Sequence, residues 1–329
     1  MEQVQIPLKT KLPSFSLILE TENLANADLK GLSKSLASLA NQDLSPTEAN
    51  EVLLIESGDT PIDILEQLCQ KYHWIKVHQV PMGTGYYNAK MLGAELVTGE
   101  IVVYFDSDCV YESNWLRNMV APFTQGEEIQ IVAGETRTRG NGPYGTAMAL
   151  TYIFPQNSKQ KTLTPTSQYF LNNVAFRREF LLQHPIPTDL PFYRGNCVIH
   201  ASNLRASGYA IWQQSQAKAT HAPPNGLSHF FWRFLLIGHD FYWQNRLLEK
   251  ANSALQASDR DLMAGLEGKL KVFSERVNGM VANDPRQFIY LPLAIPIVLT
   301  ALALIFTGYV ITLFKPKFLL EVYSAILGD

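Results

Sequence analysis

Four apolar runs of strand length, at residues 15–19, 51–55, 74–80 and 101–105, alternate with stretches whose apolar residues recur at helical spacing. Leu29, Leu32, Leu36 and Leu39 mark a first helix within 24–39. Pro61 opens a second through Leu65 and Leu68, and residues 88–97 supply a third. Short strand–helix units of this kind build a mostly parallel sheet covered on both faces. Ligands of such sheets bind at the carboxyl ends of the strands, here residues 20–23, 56–60, 83–90 and 106–108.

The rest of the chain has a different character. Residues 288–314 carry no charge, and as one helix they would extend about 40 Å, enough for a hydrocarbon core of about 30 Å. Pro292 and Pro296 either mark the start of that span or kink it. Lys and Arg are denser before it (Lys250, Arg260, Lys269, Lys271, Arg276, Arg286) than after it (Lys315, Lys317), which puts the preceding domain on the cytosolic side of the cell membrane. Two further apolar stretches, the aromatic-rich 229–248 and the stripe from Leu262 through Met280, suit helices lying in the interface plane. Charged residues make up 17% of the 329, below the roughly 25% usual in soluble domains, which agrees with a surface that meets lipid. The net charge of −3 excludes a general nucleic-acid binder. Three scattered cysteines without a CxxC pair give no disulfide framework or zinc site, and the N-terminus lacks the basic and apolar regions of a signal peptide.

The run IVVYF ends in Asp106-Ser107-Asp108. Two carboxylates one residue apart at the end of a buried strand offer hard oxygen ligands where the sheet binds substrate, and Mg²⁺ or Mn²⁺ prefer such ligands. Taken with FSLILETEN, EVLLIESGDTP and GTGYYNAKMLGAELVTGEIVVYFDSD, the pattern resembles the GT-A glycosyltransferases of the inverting family 2, over roughly residues 14–225. The resemblance implies a nucleotide-sugar donor, a divalent metal (Mn²⁺ or Mg²⁺) and direct displacement of the nucleoside diphosphate by an acceptor hydroxyl. It divides the chain into a lead-in (1–13), a GT-A domain (14–225), amphipathic helices (226–284), and a membrane segment with a short tail (285–329). Location at a membrane suggests a lipid-linked or membrane-proximal saccharide acceptor.

The resemblance also assigns candidate residues. Asp106 and Asp108 match the metal motif, with His221 a further ligand; Asp106 also belongs to the donor site. Lys90 stands where a cation would pair with the diphosphate, and Arg233 sits where processive relatives contact it. Thr21, Glu22 and Glu56 end the first two strands, at the place of base recognition, and Asn173 falls in the acceptor-side segment. The chain departs from the family at the general base. An acidic pair is replaced by Asn196-Cys197, leaving His200, Asp189 and Cys197 as candidates to take the acceptor's proton. A dinucleotide-binding dehydrogenase is disfavoured because Glu20-Thr21-Glu22-Asn23 occupies the place of its glycine fingerprint. A catalytically impaired scaffold at a membrane is the alternative to an enzyme.

Overall fold

A computed structural model describes residues 11–21, 29–58, 60–138, 140–155, 158, 160–252 and 266–327, and of 250–252, 266–273 and 327 the backbone alone. The strand runs fold as the alternation predicts. β1 (Phe15–Glu20), β2 (Val52–Glu56), β3 (Ile75–Gln79) and β4 (Ile101–Phe105) form the parallel succession β3-β2-β1-β4. Strands β1, β2 and β4 are buried at every position, because helices cover both of their faces. Alternate residues divide between two cores. Leu17, Leu19, Val103 and Phe105 pack with Leu32, Leu36 and Leu39 of α1 (Leu29–Ala40). Ile18, Val102 and Tyr104 pack with Ala89 and Ala94 of α3 (Tyr86–Leu96). Helix α3 approaches β1 so closely that a Cβ on Gly93 would stand 2.6 Å from Ile18 Cγ2, which is why glycine occupies that turn. The second helix, α2 (Ile62–Lys71), follows Pro61, which serves as its N-cap residue.

Beyond β4 the sheet becomes mixed. β5 (Cys109–Tyr111) leads into α4 (Trp115–Val120), then β6 (Ile131–Thr138), α5 (Gly142–Thr151), β7 (Thr164–Thr166), β8 (Asn173–Arg177), α6 (Arg178–Gln183), α7 (Asn196–Ala206) and β9 (Ile211–His221). Strand β8 runs antiparallel between β4 and β6, β9 parallel to β6, and β5 and β7 antiparallel to β9. The expectation of a mostly parallel sheet thus holds for the first four strands. The irregular second half of the sequence supplies the antiparallel part. There the short strand expected at 209–212 is the beginning of the eleven-residue β9.

The C-terminal helices build a third core. α8 (Gly226–Asn252), α9 (Leu266–Asn283), α10 (Leu291–Phe314) and α11 (Phe318–Leu327) follow in order. Ala147, Met148 and Leu150 of α5 meet Phe230 and Phe234 of α8, Met280 of α9, and Val298 and Ala301 of α10. Met280 and Val277 of the expected interfacial stripe therefore turn toward protein. Leu262 lies outside the described residues, as do the side chains of Leu266, Leu270 and Phe273. Helices α8 and α10 cross at glycine on both sides. A Cβ on Gly308 would stand 2.0 Å from the Leu235 carbonyl oxygen, and one on Gly238 2.0 Å from that of Ile305. Pro296 lies inside α10, which continues through it. No pattern in the sequence marks the uncharged α5, six of whose ten residues are buried.

Candidate active site

Strand β4 delivers Asp106 to the floor of a cleft of about 2610 Å³ at the carboxyl end of the sheet. Ser35 Oγ donates to the Asp106 carbonyl at 2.8 Å, and the Asp106 amide donates to Tyr111 Oη at 2.9 Å. Each oxygen of the Asp106 carboxylate accepts one hydrogen bond from within the protein. Lys90 Nζ donates to Oδ1 at 2.7 Å and to the Phe105 carbonyl at 2.7 Å, while Tyr86 Oη donates to Oδ2 at 2.9 Å. Lys90 is wholly buried, so its charge serves Asp106 from beneath the cleft. The diphosphate contact expected of Lys90 does not fit this position, since the ammonium has no exposed surface.

Asp108 lies two residues on, at the edge of β5. The β5–β9 register pairs Cys109 with His221, which sets His221 Nε2 2.9 Å from Asp108 Oδ2. Burial disfavours the charge on Asp108, yet the neighbouring His221 holds its carboxyl below the ordinary range. Asp108, Cys109 and His221 each offer one ligand atom, and these atoms lie within 4.8 Å of one another. Oxygen and imidazole nitrogen suit a divalent cation of the Mg²⁺ or Mn²⁺ kind, and the softer sulfur suits it less. His221 Nδ1 is held by the Ala222 carbonyl, which fixes the ring through its second nitrogen. Asp108 and His221 are thus brought together, and Asp106 stands beside them with one hydrogen bond accepted at each carboxylate oxygen.

A belt of tyrosines and arginines surrounds these groups. The Arg194 guanidinium lies 4.5 Å from the Tyr86 ring centroid and 4.7 Å from that of Tyr193. Arg233 stands 5.5 Å from the Tyr193 ring, and its Nε donates to Tyr152 Oη at 2.9 Å. The Tyr152 ring in turn lies 5.7 Å from His221. Arg233 thus reaches the cleft, as its position in the sequence suggested. Tyr86, Tyr152, Tyr193 and Arg194 went unassigned in the sequence, where nothing local sets them apart from core or surface residues. Asp240 of α8 holds this belt from behind, accepting the amides of Tyr193 at 2.8 Å and Arg194 at 2.9 Å; burial pushes its carboxyl up to about 7.

The remaining candidates are placed differently. Asn173 is buried, its Oδ1 accepting from Trp115 Nε1 at 2.7 Å and its Nδ2 donating to the Ala217 carbonyl at 3.2 Å. Its neighbour Asn172, in the turn that leads into β8, lines the cleft instead. His200 shares a buried face of α7 with Asn196 and Cys197, and that face looks into the protein. Its Nδ1 meets Tyr169 Oη at 2.6 Å and its Nε2 the His184 carbonyl at 2.9 Å; burial lowers its pKa to about 4. Val198, Ser202 and Arg205 are the α7 residues on the cleft side, with Cys197 at the margin. Burial pushes the Cys197 thiol up to about 12, the wrong direction for a thiolate base. Asp189 is exposed and does not line the cleft.

At the carboxyl ends of the neighbouring β1 and β2, Thr21 Oγ1 donates to the Ile55 carbonyl and accepts the Ser57 amide. Glu56 Oε1 accepts the amides of Gly58 at 2.6 Å and Thr60 at 3.2 Å. Its Oε2 is buried without a hydrogen-bond partner among the described residues. Glu22 lies outside the described residues.

A mixed sheet with paired acids at the end of its fourth strand and a histidine brought beside them defines the nucleotide-sugar transferase class of fold. Residues 25–184, just under half the chain, match the family model "Glycosyl transferase family 2", and over that stretch the chain resembles a divergent member of the family. Among curated relatives it is 28% identical over 208 residues to Glycosyltransferase AglE of Haloferax volcanii, covering 62% of this chain and 65% of that protein. It is 29% identical over 126 residues to N-acetylgalactosaminyltransferase 6 of Drosophila melanogaster, covering 37% of this chain and 18% of that protein. The chain thus spans less than two thirds of the length of these relatives. Among solved structures, the mannosyltransferase PcManGT from Pyrobaculum calidifontis, in complex with GDP-Man and Mn²⁺, superposes with a TM-score of 0.56 at 18% identity, covering 97% of this chain and 86% of that one. GalNAc-T7, with UDP, GalNAc and Mn²⁺, superposes at 0.52 and 16% identity, covering 66% of this chain and 45% of that one. Both superpositions establish the GT-A fold.

Proposed function

We propose that this chain is a membrane-attached glycosyltransferase that moves a sugar from a nucleotide-sugar donor to an acceptor oxygen, with inversion at the anomeric carbon. The observation that carries this reading is the meeting of Asp108 and His221 at 2.9 Å beside Asp106, on the floor of the cleft. The family match over residues 25–184 supports the class of reaction, and the nucleotides and Mn²⁺ held by the structural neighbours support the kind of donor. The donor set fits a divalent cation, which Asp108 and His221 would hold. When bound, it supplies neutralisation of the charge on the departing diphosphate.

The chain's own groups have distinct tasks in this reading. Lys90 and Tyr86 hold Asp106 rigid, so that its carboxylate meets the donor in one orientation. Arg233 adds positive charge near Asp108 as the leaving group departs. The unpartnered Oε2 of Glu56 accepts from an N–H of the base. Residues 14–225 constitute the transferase domain and the later helices its attachment. The helical stretch Pro285–Phe314 contains an 18-residue window of mean hydropathy 2.5, of which 17% is buried, so most of that window has no close protein cover. Leu299, Leu302 and Phe306 are among its exposed residues. That surface meets the bilayer of the cell membrane, with the transferase domain on the cytosolic side.

Calorimetry on the detergent-solubilised chain, against a panel of nucleoside diphosphates with and without Mn²⁺, tests the reading. Metal-dependent binding of one nucleotide, abolished by Asp108→Ala, is the expected result. A folded, metal-loaded protein that binds none of the panel returns the chain to the scaffold alternative.

A further inference from the structure

Inverting transfer to a hydroxyl requires a group that removes the hydroxyl's proton. Among the described residues, the carboxylates lining the cleft are Asp106, Asp108 and Glu249. Lys90 and Tyr86 hold both oxygens of the first, and His221 engages the second. Glu249 stands about 24 Å along α8 from Arg233, by the helical rise. Of the expected bases, His200 is turned into the protein with both ring nitrogens occupied, Cys197 is shut in by burial, and Asp189 is outside the cleft. Cations are plentiful: Lys34, Arg194, Arg205, Arg233 and Arg276 all line the same cleft, with His229 the remaining imidazole beside His221.

The cleft does not end at the arginines. It continues into an apolar trough between α8 and α10, lined by Phe241, Val298, Leu302, Ile305 and Phe306. Leu302 and Phe306 are largely exposed, so the trough opens onto the face of α10 that has no protein cover.

We propose that the acceptor is a phosphate monoester carried on a long aliphatic chain, its phosphate bound beside Arg194 and Arg233 and its chain lying in the α8–α10 trough. This rests on the glycosyl-transfer reading above and names the acceptor of that same site. The second ionisation of a phosphate monoester lies near 6, so at neutral pH the nucleophile is already a dianion and no proton has to be removed. A phosphate oxygen forms a bond to the anomeric carbon as that carbon's bond to the donor's diphosphate breaks, the electron pair leaving on the diphosphate oxygen. The dianionic acceptor becomes a monoanionic glycosyl phosphodiester and the nucleoside diphosphate departs with one further negative charge, so charge and atoms balance. Guanidinium groups are suited to phosphate because their fixed fork of donors meets its oxygens in pairs. The trough supplies the second half of the recognition by taking aliphatic surface out of water.

The test uses the full chain in detergent with a labelled nucleotide-sugar whose nucleotide it binds by calorimetry. The acceptors are a polyprenyl monophosphate, phosphatidic acid, the polyprenol of the same chain length and a short-chain alkyl monophosphate. Transfer to one of the two long-chain phosphates, with kcat/KM at least about 100-fold above that for the alcohol, is the expected result, since the alcohol lacks the base that such transfer needs. The short-chain phosphate should be poorer through KM. Arg194→Gln should raise the lipid-phosphate KM about tenfold and leave nucleotide binding intact, tenfold being the loss of one ordinary charge-assisted contact. Preferential transfer to the polyprenol overturns the proposal. So does nucleotide binding without transfer to either lipid phosphate, a result that leaves the donor site standing. His229 also lines the cleft. Turnover abolished by His229→Gln, with nucleotide binding kept, identifies a base-catalysed reaction and overturns the proposal as well. Failure to bind any nucleotide removes the glycosyl-transfer reading and this inference together.

Discussion

Replacing Lys90 with methionine isolates the buried pair beneath the candidate donor site. Methionine keeps an unbranched stem among Tyr86 and Tyr104, whose rings lie 5.3 and 5.6 Å from the ammonium, and removes only the charge and its hydrogen bonds. Lys90 and Asp106 have side-chain exposures of 0% and 7%, so solvent does little to screen their attraction. Taking one partner from such a pair leaves the other charge buried and uncompensated, at a cost of about 3–5 kcal/mol. At roughly 2–4 °C per kcal/mol for a domain of this size, Lys90→Met should unfold on the order of 10 °C lower. Asp106→Asn should cost a comparable amount, because it strands the ammonium with the Phe105 carbonyl as its remaining partner among those seen here. The double variant removes both charges and should be far more stable than the sum of the single losses implies, with a coupling of at least about 2 kcal/mol. Thermal unfolding of the four proteins in one detergent, followed by circular dichroism, measures this cycle. Losses that add to within about 0.5 kcal/mol, or a Lys90→Met loss below about 1 kcal/mol, would refute the claim that the two charges hold each other out of water.

Two further predictions follow from other parts of the fold. Gly308→Leu should force α10 away from α8, because even its Cβ would stand 2.0 Å from the Leu235 carbonyl; a loss of at least about 2 kcal/mol in the same assay is expected, and an unchanged unfolding temperature would remove the crossing from the account. His200 titrates near 4 in the folded protein against about 6.5 unfolded, so the unfolded state binds the extra proton as pH falls between those values. Its contribution is intact above 6.5 and lost progressively toward 4, up to about 3 kcal/mol, and the wild-type acid-stability curve should be steeper across that window than that of His200→Gln.

Local patterns were enough to place the first half of the sheet. Strands β1, β2 and β4 appear as uninterrupted apolar runs because both their faces are covered, and Asp106-Ser107-Asp108 follows the last of them wherever the chain later goes. Pro61 acts through its immediate backbone and was equally readable, whereas Gly93 is explained only by the approach of α3 to Ile18 of β1. The charge-free stretch that becomes α10 required only a count of residues. The antiparallel part of the sheet was harder, since its strands pair with partners far along the chain and α5 carries no polar face to set its helical phase.

The candidate site belongs largely to that second kind of information. His221 comes to Asp108 because β5 pairs with β9 in one register, and a slip of one residue would point the imidazole to the other side. Asn172, and not Asn173, lines the cleft because it sits in the turn before β8 while Asn173 enters the buried strand. Sequence spacing put His200 on one face of α7 with Asn196 and Cys197, but the packing of α7 turns that face into the protein and presents Val198, Ser202 and Arg205 to the cleft. Lys90 reads from the sequence as a cation near phosphate, and only the meeting of α3 with β4 decides that it serves Asp106 instead. A sequence determines periodicity, charge and the order of elements because these are properties of near neighbours. Which side chains converge depends on strand register and helix rotation, and those are settled by contacts between distant segments when the core closes.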